Sequence, residues 1–274
     1  MSSALNVVVV TGIGGMGAAI ARRIGSGATV LLADVNATAL SATAATLRSE
    51  GYEVEEQVTD VSDPESVGAL AEAAVGLGPV GVVVHTAGLS PVQASASAIL
   101  KVDLLGTALV LDAFASVVAP GGAGVFVASM AGTMASLDPD LERRLASTPA
   151  EALLDLPELA EEAVAEPGAA YGLAKRANQI RVRAAAVAWG RRQARVNTIS
   201  PGVISTPMTA AELAGPSGDM MRAMIDASPM DRIGTPHDIA AAVEFLTGPH
   251  STFITGADLL VDGGAVAAML APPS

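Results

Sequence analysis

The chain has 274 residues, 51% of them apolar, with 15 basic and 28 acidic side chains and a net charge of −13 at pH 7. That length and apolar fraction suit one large α/β domain, and the acidity argues against nucleic acid or anionic membrane as partners, because both would repel it. With no cysteine, disulfides, thiol nucleophiles and thiolate metal ligands are excluded.

The apolar run Val7 to Val10 predicts a first strand, feeding the turn Thr11-Gly12-Ile13-Gly14-Gly15-Met16-Gly17, then a helix, then a second strand over 28–33 that ends in Asp34. This order of strand, glycine turn, helix and spaced acid is the grammar of dinucleotide binding. Gly12 permits the tight turn, Gly14 lets the backbone approach a pyrophosphate, and Gly17 lets helix and strand pack closely. Gly15 and Met16 complete the turn, and the free N–H groups of the helix face the phosphates. Asp34 lies 22 residues after Gly12, where a carboxylate takes both ribose hydroxyls. It would repel a 2′-phosphate, and its neighbours Ile13, Met16, Val35 and Asn36 supply no compensating base, so NAD(H) is expected over NADP(H). The alternative, that Asp34 caps the helix starting near Asn36, is open and compatible. Arg22 and Arg23 are expected to face solvent.

Helical and strand patterns keep alternating: a helix over 36–50, a strand over 52–58, a helix over 64–76 with proline at its start, and a buried strand over 80–85. The uncharged stretch 73–100 is long enough to raise a membrane question, but Pro79, Pro91 and four glycines break it into a helix end, a strand and a loop. The amino terminus carries no basic segment ahead of an apolar helix, so a cytoplasmic location is expected. Next come a long helix over 97–119, a strand over 124–128, a helix over 169–189, a strand over 194–199, a helix over 236–246 and a last strand over 258–261. His85, His237 and His250 lack paired metal spacing and read as turn or helix-edge residues, so no metal is expected. Seven strands with intervening helices predict a doubly wound, Rossmann-type parallel sheet covered on both faces. Ligands of such sheets sit beyond the carboxyl ends of the strands. There the chain carries the glycine turn, Asp34, Asp60 and Val61 for an adenine ring, Ala87 and Gly88 for close backbone approach, Ser129, and Pro201-Gly202.

Tyr171 and Lys175 are four residues apart and share a helix face. Hydride transfer between a nicotinamide and a carbonyl needs a proton donor at the carbonyl oxygen. A free phenol titrates near pH 10 and is a poor base at neutral pH; a nearby ammonium is expected to lower its pKa by about 2–3, which takes roughly 3–4 kcal/mol. A Tyr/Lys pair at this spacing is otherwise an ordinary solvated face, and Ser129 at the end of the preceding strand changes the weighing.

With these residues in order, the chain resembles the short-chain dehydrogenase/reductase family over nearly its whole length, apart from about 133–167. The resemblance implies that Tyr171 is the acid/base, Lys175 its activator and ribose contact, and Ser129 the hydroxyl that orients substrate. It makes Thr86-Ala87-Gly88 the counterpart of the family's Asn-Asn-Ala-Gly turn, and puts Pro201, Gly202, Val203 and Thr206 near the carboxamide and pyrophosphate. Three departures stand out. The glycine motif is one residue shorter than usual, which implies a tighter turn. The fourth catalytic position, usually asparagine, is Asp103; in the family that residue supports a water chain to the lysine through its backbone carbonyl, and the extra charge here is expected to retain a proton on Lys175. Ser129 and Tyr171 are 42 residues apart, much further than usual, so residues 133–168 form an insertion.

The insertion belongs to a segment, 138–166, with nine acids against two arginines, supplying −7 of the net charge. Its apolar residues Leu153, Leu154, Leu156, Leu159 and Val164 follow a helical pattern between prolines. A lid or wall of the active site is the sharper reading, and a surface excursion or oligomer element the blander one. A similar insertion marks bacterial 3α-hydroxysteroid dehydrogenase/carbonyl reductases, which implies a bulky apolar or steroid-like ketone. Residues 207–229, with Met208, Met220, Met221 and Met224, resemble the family's substrate loop. The function expected is NAD(H)-dependent interconversion of a secondary alcohol and a ketone by a homo-oligomer, dimer or tetramer. A non-catalytic NAD(H)-binding sensor or scaffold is the alternative, and isomerase or dehydratase chemistry a weaker third.

Overall fold

Val7, Val8, Val9 and Val10 are all buried, as a strand covered on both faces must be. Alternate members feed different apolar clusters: Val7, Val9, Leu31 and Ala33 one, Val8, Val10, Val30 and Leu32 the other, so the sheet carries a core on each face. The computed structural model describes residues 7–271. In chain order it contains β1 (Val7–Thr11), α1 (Gly15–Ile24), β2 (Thr29–Asp34), α2 (Ala37–Ser49), β3 (Glu53–Val58), α3 (Pro64–Leu77) and β4 (Val80–His85). There follow α4 (Ala96–Ile99), a π-helical turn (Leu100–Gly106), α5 (Thr107–Val117), β5 (Val118–Val127), α6 (Met130–Met134), α7 (Pro139–Ser147) and 3₁₀ turns at Ala150–Asp155 and Pro157–Leu159. The chain then forms α8 (Pro167–Arg191), β6 (Arg195–Pro201), α9 (Pro207–Ala214), α10 (Gly218–Ala227), α11 (Pro236–Thr247), β7 (Asp258–Val261) and α12 (Ala265–Leu270).

The seven strands are parallel and ordered β3-β2-β1-β4-β5-β6-β7. Strand order reverses between β1 and β4, opening the crevice in which doubly wound sheets bind ligands. β3 lies at an edge and carries exposed Glu53, Glu55 and Glu56, which discourage further strand pairing. Helix starts follow local chemistry: Asp63 caps α3 ahead of Pro64, and Thr235 and Asp238 form a reciprocal capping box on α11.

Four sequence expectations change. The single helix over 97–119 is divided by the π turn that carries Asp103, and it ends at Val117. β5 starts earlier than residue 124: Val118 pairs with Val80 and Ala123 with Val82, and the residues between, Pro120 and Gly121 among them, loop out of register. Within the insertion, the apolar pattern of Leu153 to Leu159 forms 3₁₀ turns, because Pro149 and Pro157 interrupt any longer helix; the α-helix is α7, capped by Asp138. His85 is a buried strand end, exchanging hydrogen bonds with Thr11 Oγ1 at 2.7 Å and Thr107 Oγ1 at 3.1 Å.

The insertion is tied down. Leu141, Leu145, Leu153 and Leu159 are buried in a third cluster with Ile99, Leu104 and Leu173. Buried Arg181 donates through Nη1 to the carbonyls of Leu145 and Thr148, both at 2.8 Å, satisfying the end of α7. Arg176 pairs with Glu142 at 2.7 Å, and Arg144 pairs with Glu158. Its centre is therefore packed on α4, the π turn and α8, and only its two ends, around Met134 to Leu137 and Ala163 to Ala169, reach the cavity described below. It forms a wall.

Candidate active site

The glycine turn fits a dinucleotide. Gly12 has φ of +82°, and a Cβ there would lie 2.4 Å from the Ala87 nitrogen. A Cβ on Gly17 would lie 2.0 Å from the Gly12 oxygen, so helix and turn touch directly, whereas nothing lies within 4 Å of that position on Gly14. No side chain caps the start of α1, which leaves its first amides free for phosphate oxygens. Thr86 closes the crevice by donating from its amide to Thr11 O at 2.8 Å and from Oγ1 to Gly12 O at 2.6 Å. The Thr206 methyl lies 3.3 Å from a Cβ position on Gly15, so the segment that follows β6 meets the turn.

Asp34 Oδ2 accepts from the Ile13 amide at 2.7 Å and Oδ1 from the Asn36 amide at 2.9 Å, which fixes the carboxylate at the rim of the turn. Asn36 caps α2, through Ala39 N at 3.1 Å, so Asp34 is not the cap. Arg22 and Arg23 are held away in ion pairs with Glu50 and Glu244. Asp60 is exposed and accepts from Ser62, while Val61 is buried against Gly106, so Val61 belongs to the core more than to an open adenine face. Among the described residues, no group of three or more His, Cys, Asp and Glu is placed to hold a metal ion, and no helix is long and apolar enough to cross a membrane.

Ser129, Tyr171, Lys175 and Asp103 meet at the carboxyl ends of β4 and β5. Ser129 caps α6, its Oγ accepting from Ala131 N at 3.1 Å. Lys175 Nζ lies 5.4 Å from the Tyr171 ring centroid and donates to Val127 O at 3.4 Å. α6 and α8 touch backbone to backbone here, since a Cβ on Gly132 would lie 2.6 Å from the Lys175 carbonyl carbon.

Asp103 departs from the expected geometry. Its backbone carbonyl accepts from Thr107 Oγ1 at 2.7 Å and Asn178 Nδ2 at 2.9 Å, so it is engaged by side chains. Its carboxylate does the reaching: Oδ2 pairs with Lys175 Nζ at 3.1 Å and Oδ1 accepts from Leu89 N at 2.7 Å, all in a buried setting. A π turn is a frequent device at functional positions and here carries this aspartate. Burial works to lower Lys175, but the charges of Asp103 and Tyr171 outweigh it and hold the ammonium above its usual range. Burial raises the Asp103 carboxyl, against the pull of Lys175 and the Leu89 amide. The Tyr171 phenol moves opposite to expectation: burial raises it, Lys175 lowers it by less, and Asp103 raises it again. His85 is pushed down to about 3 by burial and the Lys175 charge, so it is neutral.

Ser129, Tyr171, Lys175 and Asp103 line one cavity of about 740 Å³. Met16, Thr86, Gly88, Pro201, Gly202, Val203 and Thr206 line it together with Ser129, Tyr171 and Lys175, whereas Gly12, Gly14, Gly15, Gly17, Asp34, Asp60, Val61 and Ala87 are not in its lining. Met208 on α9 and Met220, Met221 and Met224 on α10, from the expected substrate loop, also line it. Sequence reasoning missed Asn178, Thr107, Ser90 and Glu212. Asn178 alone had a local signal, being three residues beyond Lys175 on the same helix face.

A doubly wound parallel sheet with an uncapped glycine turn, and a Ser/Tyr/Lys cluster in the cavity beyond its strand ends, is an arrangement suited to a nicotinamide-dependent oxidoreductase. Residues 6–138 match the family model described as short chain dehydrogenase, and residues 146–266 the model described as Enoyl-(Acyl carrier protein) reductase. The chain is 39% identical over 264 residues to short-chain dehydrogenase/reductase bsc3 of Alternaria brassicicola, covering 96% of each. It is 33% identical over 267 residues to a galactitol 2-dehydrogenase (L-tagatose-forming) of Cereibacter sphaeroides, covering 93% of this chain and 92% of the relative. To the 3-alpha-hydroxysteroid dehydrogenase/carbonyl reductase of Comamonas testosteroni it is 30% identical over 197 residues, covering 68% and 73%. A blue fluorescent protein from a metagenomic library, solved in complex with NADPH, matches with TM-score 0.74 and 26% identity over 95% of this chain and 97% of that one. The chain belongs to the short-chain dehydrogenase/reductase family.

Proposed function

We propose that this protein interconverts a secondary alcohol and a ketone with NAD(H), its substrate being bulky and largely apolar. The observation that carries the reading is that Ser129, Tyr171 and Lys175 line the same cavity as Met16, from the helix that follows the glycine turn, and the segment after β6. When bound, the nicotinamide supplies or accepts the hydride at the carbinol carbon. In reduction, the Tyr171 phenol gives its proton to the carbonyl oxygen, which the Ser129 hydroxyl holds in place. The Lys175 ammonium, kept charged by Asp103, stabilises the phenolate left behind. In oxidation the same proton returns to Tyr171 from the alcohol. Asp103 acts through Lys175 and is a positioning residue. The intact cluster is what a non-catalytic binder has no chemical reason to keep.

Two features support the finer assignment. Asp34 stands at the rim of the turn, where a 2′-phosphate would meet its charge, and no cation pairs with it among the described residues. The cavity walls are dominated by methionine, leucine, valine and alanine, which suits an apolar skeleton. Titration with NADH and NADPH, followed by turnover of a ketone panel with each, tests the assignment. NADH is expected to bind at least tenfold tighter; tighter binding of NADPH would overturn the choice of cofactor.

A further inference from the structure

Three charged side chains line the cavity, and two of them, Asp103 and Lys175, neutralise each other at 3.1 Å. The third is Glu212. It sits on α9, whose first turn is fixed by Thr206, the same residue that touches the glycine turn. Ser90, fully buried in the loop after β4, donates from Oγ to Glu212 Oε1 at 2.7 Å. That bond ties the loop after β4 to α9, and Oε2 has no hydrogen bond to protein among the described residues. Glu212 is half-buried and shares the cavity lining with Leu89, Val92, Met208 and Met221.

We propose that Glu212 is the specificity anchor of the substrate cavity, accepting a hydrogen bond from a neutral hydroxyl on the substrate remote from its reacting carbonyl and turning away substrates with a carboxylate there. The substrate class is thus a bulky apolar ketone, or its alcohol, carrying a second hydroxyl. An ionised acceptor makes a stronger bond to a hydroxyl than a neutral one does, and a second anion beside it in apolar surroundings is repelled. The charge of Glu212 also reaches Tyr171, where it raises the phenol, which places it within electrostatic range of the reacting centre. This inference rests on the alcohol/ketone reading above.

The test uses two bicyclic ketones that differ only in a remote hydroxyl or carboxylate, titrated calorimetrically into the protein held with NAD+, where no reduction occurs. The native chain is expected to bind the hydroxy-ketone at least tenfold tighter. Glu212→Gln keeps an amide oxygen for Ser90 and loses the charge, so the preference is expected to fall at least tenfold, chiefly by admitting the carboxylate. Ser90→Ala breaks the latch and keeps the charge, so the preference persists. A preference that changes by less than threefold in Glu212→Gln overturns the proposal, as does a native chain that binds both ketones equally or neither. Turnover of the same ketones with NADH is read separately. Turnover without the preference removes the anchor alone, whereas the preference without turnover removes the dehydrogenase reading and leaves the anchor.

Discussion

Tyr171→Phe is expected to lower kcat by about 10²–10⁴-fold, the usual contribution of a positioned general acid. The substitution removes one oxygen and keeps the ring that packs against the cluster of α4, the π turn and α8, so the fold is expected to survive. The loss should appear in kcat and kcat/KM together, because the missing proton donor acts in the transition state. Rates within a fewfold of the native chain would show that another group delivers the proton. Ser129 does not replace it, since a serine hydroxyl has no comparable acidity.

Asp103→Ala is expected to cost about 3–5 kcal/mol of stability, because it leaves Lys175 buried and without its counter-charge. It also strands the Leu89 amide that Oδ1 accepts. A shift of the urea midpoint checks this; a stability within about 1 kcal/mol of the native value contradicts the buried pair. Asp103→Asn separates charge from shape, since its amide oxygen can still accept from Leu89. Oxidation needs the phenolate and rises as pH climbs through the Tyr171 pKa; reduction needs the phenol and falls over the same range. Burial first, and then the negative charge of Asp103, hold that pKa up. Removing the charge makes the phenolate easier to form, so both limbs move to lower pH in Asp103→Asn. Unmoved limbs would contradict the electrostatic role; a shift to higher pH would show that Asp103 acts chiefly by keeping Lys175 charged.

Much of this was legible along the chain because its signals are local. Val7 to Val10, the glycine turn and Asp34 lie within 28 residues, and their order alone yields strand, turn, helix and strand. The Tyr171 and Lys175 spacing needs only helical geometry. What was not legible depends on partners distant in sequence. Asp103 meets Lys175 across 72 residues, and nothing near either shows that the carboxylate, and not the backbone carbonyl, makes the approach. The same burial reversed the expected direction at Tyr171, because desolvation of a phenol outweighs one ammonium 5.4 Å from its ring. The π turn leaves the helical pattern of apolar residues nearly intact, and the bulge ahead of residue 123 sits in a Pro-Gly-Gly stretch that reads as loop. Glu212 looks like any helix-surface acid until Ser90, 122 residues away, is found bonded to it.

The proposed reaction passes hydride between a nicotinamide and a carbonyl carbon in the cavity that Tyr171 lines. Incubating the protein with NADH deuterated on the transferring face at C4, together with a bulky ketone, and weighing the alcohol by mass spectrometry tests it most directly. One deuterium on the carbinol carbon is the predicted result. Bound NADH with no labelled alcohol from any ketone of the panel would contradict it.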